Sequence, residues 1–144
     1  LASVDGERSS GAFPALALDR EGRPWISYYR MSSWDFDRGE LRLARYDGAW
    51  HSETIDDDGN AGRFNALALA PGGRVALAYY DSAGDELRLA WREPGGTLSR
   101  RVLGAHAGPW VGLAVDDSAR LHLAATDLTA GQARYMRLRL PPQE

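Results

Sequence analysis

Phe13-Pro14-Ala15-Leu16-Ala17-Leu18 returns 51 residues later as Phe64-Asn65-Ala66-Leu67-Ala68-Leu69, and after a further 46 as Trp110-Val111-Gly112-Leu113-Ala114-Val115. Each copy leads through a short polar turn into a second apolar run. Trp25-Ile26-Ser27-Tyr28-Tyr29 matches Val75-Ala76-Leu77-Ala78-Tyr79-Tyr80, with Leu121-His122-Leu123-Ala124-Ala125-Thr126 as the weaker third version. A third run follows in Glu40-Leu41-Arg42-Leu43-Ala44, Glu86-Leu87-Arg88-Leu89-Ala90 and Ala133-Arg134-Tyr135-Met136. A period of 46 to 51 residues governs nearly the whole chain of 144, and a repeat of that length is one supersecondary unit that stacks on its neighbours.

The units are built of strands. Each run is short, alternates apolar with small or polar side chains and is bounded by turn residues. Asp19-Arg20-Glu21-Gly22, Ala70-Pro71-Gly72-Gly73 and Asp116-Asp117-Ser118-Ala119 are hairpin turns, while Tyr46-Asp47-Gly48-Ala49 and Glu93-Pro94-Gly95-Gly96 lead into fourth strands at Trp50 to Ile55 and Thr97 to Val102. Gly or Pro interrupts every window long enough for an amphipathic helix, so none is expected. The expected fold is all-β: one β-propeller domain of four-stranded antiparallel blades, three per chain, at 13–55, 64–103 and 110–140 plus a strand at 1–4.

That last strand comes from an offset in the repeat. The third copy lacks a fourth strand before Leu140-Pro141-Pro142, whereas Val4-Asp5 aligns with Ile55-Asp56 at the spacing of 51 that aligns Gly11 with Gly62. Leu1 to Val4 therefore reads as a displaced fourth strand that closes an open sheet edge. Three blades do not close a ring. The expected assembly is a homodimer of six blades in which this strand of each copy completes the third blade of the other. A start at Leu1 also fits a processed chain or half of a longer polypeptide.

The phrase from Ala15-Leu16-Ala17-Leu18-Asp19 through Gly22-Arg23-Pro24-Trp25-Ile26-Ser27-Tyr28-Tyr29, with Leu41-Arg42-Leu43-Ala44 and Gly48-Ala49-Trp50, resembles bacterial β-propeller repeats of the sialidase-like or BNR-like group. It looks like the branch without the Asp box, since no copy carries Ser-x-Asp-x-Gly-x-Thr-Trp. The resemblance implies the fold and a habit of binding glycans or proteins; it leaves the compartment open, a secreted or bacterial cell-surface setting included. It implies no particular reaction.

In an up-and-down blade, the loop between strands two and three shares an end with the connector to the next blade. Long loops on a rigid scaffold carry function disproportionately, so this face is the expected binding face. Its longest loop, Met31-Ser32-Ser33-Trp34-Asp35-Phe36-Asp37-Arg38-Gly39, has five residues more than its counterparts. Trp34 and Phe36 could stack on a sugar ring while Asp35, Asp37 and Arg38 hydrogen-bond to its hydroxyls. The same aromatics could instead pack over a neighbouring blade or a partner chain. Tyr29 and Tyr80, ending equivalent second strands, are further candidates as cleft-lining hydroxyls or as packing residues.

The remaining chemistry is sparse. All 17 basic residues are Arg against 20 acids, a net charge of -3, which gives no surplus for a nucleic-acid partner. No apolar run is long enough for a membrane helix. With no cysteine there is no disulfide or thiolate site. Asp56-Asp57-Asp58-Gly59-Asn60 lacks the alternate spacing of a calcium loop and reads as a solvated turn. His51, His106 and His122 fall on different elements, so neither metal nor cofactor is expected. Arg42, Arg88 and Arg134 recur at one strand position beside Glu40 and Glu86, as exposed charge ladders would, rather than converging on a substrate carboxylate. The expectation is a non-catalytic, lectin-like module, with a protein-interaction scaffold or a sialidase-like hydrolase as alternatives.

Overall fold

The computed structural model describes residues 2–32, 34 and 36–142. It contains eleven strands in three antiparallel sheets. The first sheet joins β1 (Ser10–Leu18), β2 (Pro24–Met31), β3 (Gly39–Tyr46) and β4 (Trp50–Asp56) in chain order. The second repeats this with β5 (Ala61–Ala70), β6 (Arg74–Asp81), β7 (Glu86–Arg92) and β8 (Leu98–Ala105). The third holds β9 (Ala107–Val115), β10 (Arg120–Asp127) and β11 (Gln132–Arg139). No helix occurs among the described residues. The sheets are called blades 1, 2 and 3 below.

The blades stack face to face in chain order, with β5 packed against both β1 and β9. Two apolar cores fill the gaps. Between blades 1 and 2, Ala15, Ala17, Leu41 and Leu43 meet Leu67, Leu69, Val75, Leu77 and Tyr79. Between blades 2 and 3, Ala76, Ala78, Leu87, Leu89 and Trp91 meet Val111, Leu113, Val115, Leu121 and Leu123. The alternation explains both: along β5, Leu67 turns towards blade 1 and its small neighbours Ala66 and Ala68 towards blade 3, all three buried. Large residues of one blade thus settle on small residues of the one before it.

Two expectations need correction. The inner strands start at Ser10, Ala61 and Ala107, ahead of Phe13, Phe64 and Trp110, because a bulge rather than a loop precedes each repeat. Pairing shifts register between Ser10 and Ala15 in β1 and between Ala61 and Ala66 in β5, and the aromatic beside each bulge has positive φ: 52° at Phe13, 49° at Phe64 and 64° at Trp110. Gly62 is obligatory here, since a Cβ at its φ of 108° would lie 2.7 Å from the Leu41 Cα. Second, the charge ladder is exposed in blade 3 alone, at Arg134, and is covered in blades 1 and 2. Glu40 is buried and accepts from Arg30 and Arg42 of its own blade, while Arg88 is half-buried between Asp56 of blade 1 and Asp81 and Glu86 of its own blade.

Candidate binding site at the junction of the first two blades

One backbone device organises the long-loop face. The residue at or just beyond the end of each second strand donates its N–H to the connector: Met31 to Ser9 O at 3.0 Å, Ser82 to Asn60 O at 3.3 Å and Leu128 to His106 O at 3.0 Å. The connectors and the loops between second and third strands therefore form one continuous surface, fixed to the sheets below.

At the junction of blades 1 and 2 this surface carries the long loop. Ser32 N–H donates to Arg38 O at 2.9 Å and closes the loop at its base. Asn60 ties it to blade 2: its side-chain amide donates to Phe36 O at 2.6 Å, and its Oδ1 accepts from the Tyr29 hydroxyl at 2.6 Å. Gly39 makes room for this, because a Cβ there would stand 2.2 Å from the Tyr29 ring. The Arg63 guanidinium lies 5.9 Å from the Tyr29 ring centroid and 5.6 Å from that of Phe36, within cation–π range of both. It makes a long hydrogen bond, 3.4 Å to the Ser82 hydroxyl, and its Nε is buried without a partner.

Arg42 Nε is likewise buried without a partner, but Arg63 stands apart in its ion pairing. Among the described residues, every other arginine that is buried or half-buried (Arg30, Arg42, Arg74, Arg88, Arg92 and Arg120) forms an ion pair with an acid. A guanidinium carries five donors, and withdrawing it from water without an acceptor is costly. Above it, Trp34 is 90% exposed and Phe36 41%, so neither aromatic is consumed by packing.

The predicted site residues thus separate. Trp34, Phe36, Asp37 and Arg38 share the loop, and Asp35 lies outside the described residues. Tyr29 is completely buried and supports the loop from below, its phenol raised in pKa by burial first and by nearby Asp37. Tyr80 belongs to the next junction, where a Cβ on Gly108 of blade 3 would strike its ring. Its hydroxyl donates to Asp85 at 2.8 Å, and Asp85 in turn lies 2.5 Å from His106 Nδ1. Burial first, then the Asp85 hydrogen bond, pushes the Tyr80 phenol up to about 12. Sequence reasoning passes over Asn60 and Arg63 as site residues. The available signal is their departure from the repeat, since Arg63 stands where the other copies have Ala12 and Pro109.

The acidic run is a solvated turn only at Asp57, Asp58 and Gly59, which are exposed. Asp56 is 1% exposed and accepts from Tyr79 OH at 2.6 Å, from Arg88 at 3.2 Å and from Arg100. The blade 1 counterpart is Tyr28, which donates to Asp5. Burial raises the pKa of both phenols, and their carboxylate partners raise it further. Among the described residues, no three metal-capable side chains cluster.

Further concave features lie along the inner edge and on the opposite face. Phe13, Phe64 and Trp110 stack in sequence, centroids 4.6 and 5.3 Å apart, along the inner edge of the long-loop face. On the opposite face a depression of about 480 Å³ lies among the three hairpin turns, with Leu18, Leu69, Val115 and Trp25 in its wall. Asp19 at its rim has its carboxyl lowered to about 2: hydrogen bonds from Arg23 and Trp25 and the Arg23 charge outweigh the opposing effect of desolvation.

No family model and no curated protein sequence matches the chain. Solved structures do. A protein of unknown function from Dyadobacter fermentans superposes with a TM-score of 0.71 at 15% identity, covering 90% of this chain and 38% of that one. A fucose lectin from Kordia zhangzhouensis, solved with methyl-fucoside, gives 0.57 at 10% identity over 86% of this chain and 90% of its own. An endo-arabinase from Bacteroides thetaiotaomicron gives 0.57 at 13% identity, covering 92% and 56% respectively. The chain therefore has a propeller-like fold and spans well under half the length of the Dyadobacter protein.

Proposed function

We propose that the chain is a non-catalytic, lectin-like carbohydrate-binding module whose ligand lies against the loop at the junction of blades 1 and 2. The observation that carries this reading is the pairing of exposed Trp34 and Phe36 on one loop with the half-buried Arg63, which lies over the Phe36 ring and forms no ion pair with an acid among the described residues. Aromatic faces suit the apolar face of a sugar ring, and a guanidinium edge suits its oxygens. The Kordia lectin, which holds methyl-fucoside on this fold, supports a sugar as ligand class without specifying which.

The titratable groups support binding rather than chemistry. A nucleophilic tyrosine needs a lowered pKa or a base to take its proton, whereas Tyr28, Tyr29, Tyr79 and Tyr80 are all shifted upwards by burial. A glycan array tests the proposal. Carbohydrate signals that fall at least tenfold for Trp34→Ala and Arg63→Ala are expected. An array with no signal would leave a protein-interaction scaffold as the better reading, and turnover of a fluorogenic sialoside would remove the word non-catalytic.

A further inference from the structure

We infer that a second copy of this chain docks on the two uncovered blade faces and completes a six-bladed ring, with residues 2–4 of each copy extending β11 of the other. The internal interfaces supply the template. On the side facing the preceding blade, blade 2 presents Leu67 and Leu69 and blade 3 presents Leu113 and Val115; these settle on Ala15 and Ala17, and on Ala66 and Ala68, of the blade before. Blade 1 has the same ridge in Leu16 and Leu18, yet these are 66% and 61% exposed where Leu67 is 8%. Blade 3 has the same shelf of small residues in Gly112 and Ala114, and both are exposed. Residues 2–142 therefore leave an unfilled ridge on one side and an unfilled shelf on the other. A second copy bears both in the right register, and twofold symmetry satisfies the two contacts at once. Two copies give six blades, inside the range of closed propellers.

The strand supply agrees. Tyr79 donates to Asp56 at the exit of β4, and Tyr28 donates to Asp5 one repeat earlier. Ser10 adds two further bonds of 2.9 Å to the Asp5 carboxylate. Asp5 is thus held against blade 1 as Asp56 is held against blade 2, which places residues 2–4 where the end of an outer strand belongs; Leu1 lies outside the described residues. In the single copy residues 2–4 join no sheet, and β11, the counterpart of β3 and β7, pairs only with β10. The depression among the hairpin turns is likewise half built, since the corresponding turns of the partner's three blades would supply its remaining wall.

Light scattering of the full chain tests this. The expected mass is twice the 15.8 kDa of one chain, falling to the single-chain value for Leu16→Arg and for Ala114→Arg. Both substitutions fall on faces already open in one copy, so circular dichroism should stay that of the native chain. Val4→Pro, which removes a ladder donor, should weaken the dimer at least tenfold and expose the β11 amides to hydrogen exchange. A native chain that keeps the single-chain mass even when concentrated, one whose mass grows past that of two chains, or a dimer indifferent to Leu16→Arg would overturn the inference. A dimer indifferent to Val4→Pro would remove the strand exchange from it.

Discussion

The two blade junctions start from the same repeat and end differently. Between blades 2 and 3 the loop is short and satisfies itself: Tyr80 donates to Asp85, Asp85 meets His106, and Pro109 fills the position that Arg63 holds one blade earlier. Between blades 1 and 2 the longer loop is anchored through Asn60, leaves Trp34 and Phe36 in solvent and covers a guanidinium that forms no ion pair with an acid among the described residues. A scaffold that repeats makes such a departure conspicuous. One junction completes its own hydrogen bonding, and the other keeps donors and aromatic surface for something else.

Removing the groups that hold the junctions shut should show how unequal they are. Asp56→Ala leaves Arg88 and the Tyr79 hydroxyl short of a partner in the interior and should cost about 3 to 5 kcal/mol in urea unfolding. Asp85→Ala, at the solvent-exposed edge of the second junction, should have a far smaller effect, and equal losses would refute the contrast. Gly62→Ala combines a forbidden φ with the Leu41 backbone and should exceed roughly 2 kcal/mol. Gly11→Ala, at a φ of 102° in open space, should show only the backbone strain, about 1 kcal/mol.

The pH dependence sharpens the second junction. Tyr80 titrates near 12 in the folded chain against about 10 unfolded. The folded state therefore binds this proton more tightly, and the resulting stability is complete below about pH 10 and drains away as pH rises towards 12. Tyr80→Phe should flatten that alkaline limb of an unfolding series; an unchanged limb would mean the phenol is ordinary. The smallest stability effect belongs to Trp34→Ala, within about 0.5 kcal/mol, although it should lose the most binding.

The strand ladder was readable because alternation and turn residues report backbone period and direction directly, and the offset of the repeat was readable because the spacing of 51 relates Val4 to Ile55 as it relates Phe13 to Phe64. Burial was harder to read. Glu40, Arg42, Asp56 and Arg88 have the composition of solvent-facing residues; Glu40 and Arg42 pair within blade 1, and the stacking of blade 2, remote in sequence, is what joins Asp56 to Arg88 in the interior. The loop with Trp34 and Phe36 announced itself by length, but its support did not. Asn60 and Arg63 belong to the following repeat and reach Phe36 only because the blades stack, a proximity no local pattern records.

The most direct measurement is a titration of chain labelled at the tryptophan indoles with the strongest glycan from the array, followed by NMR. Five indole signals report on distinct places, including Trp34 on the long loop, Trp110 in the inner-edge stack and Trp25 in the depression on the opposite face. The Trp34 signal should shift in proportion to occupancy while Trp25 stays still. Movement of Trp25 with Trp34 unmoved would put recognition on the other face and contradict the account.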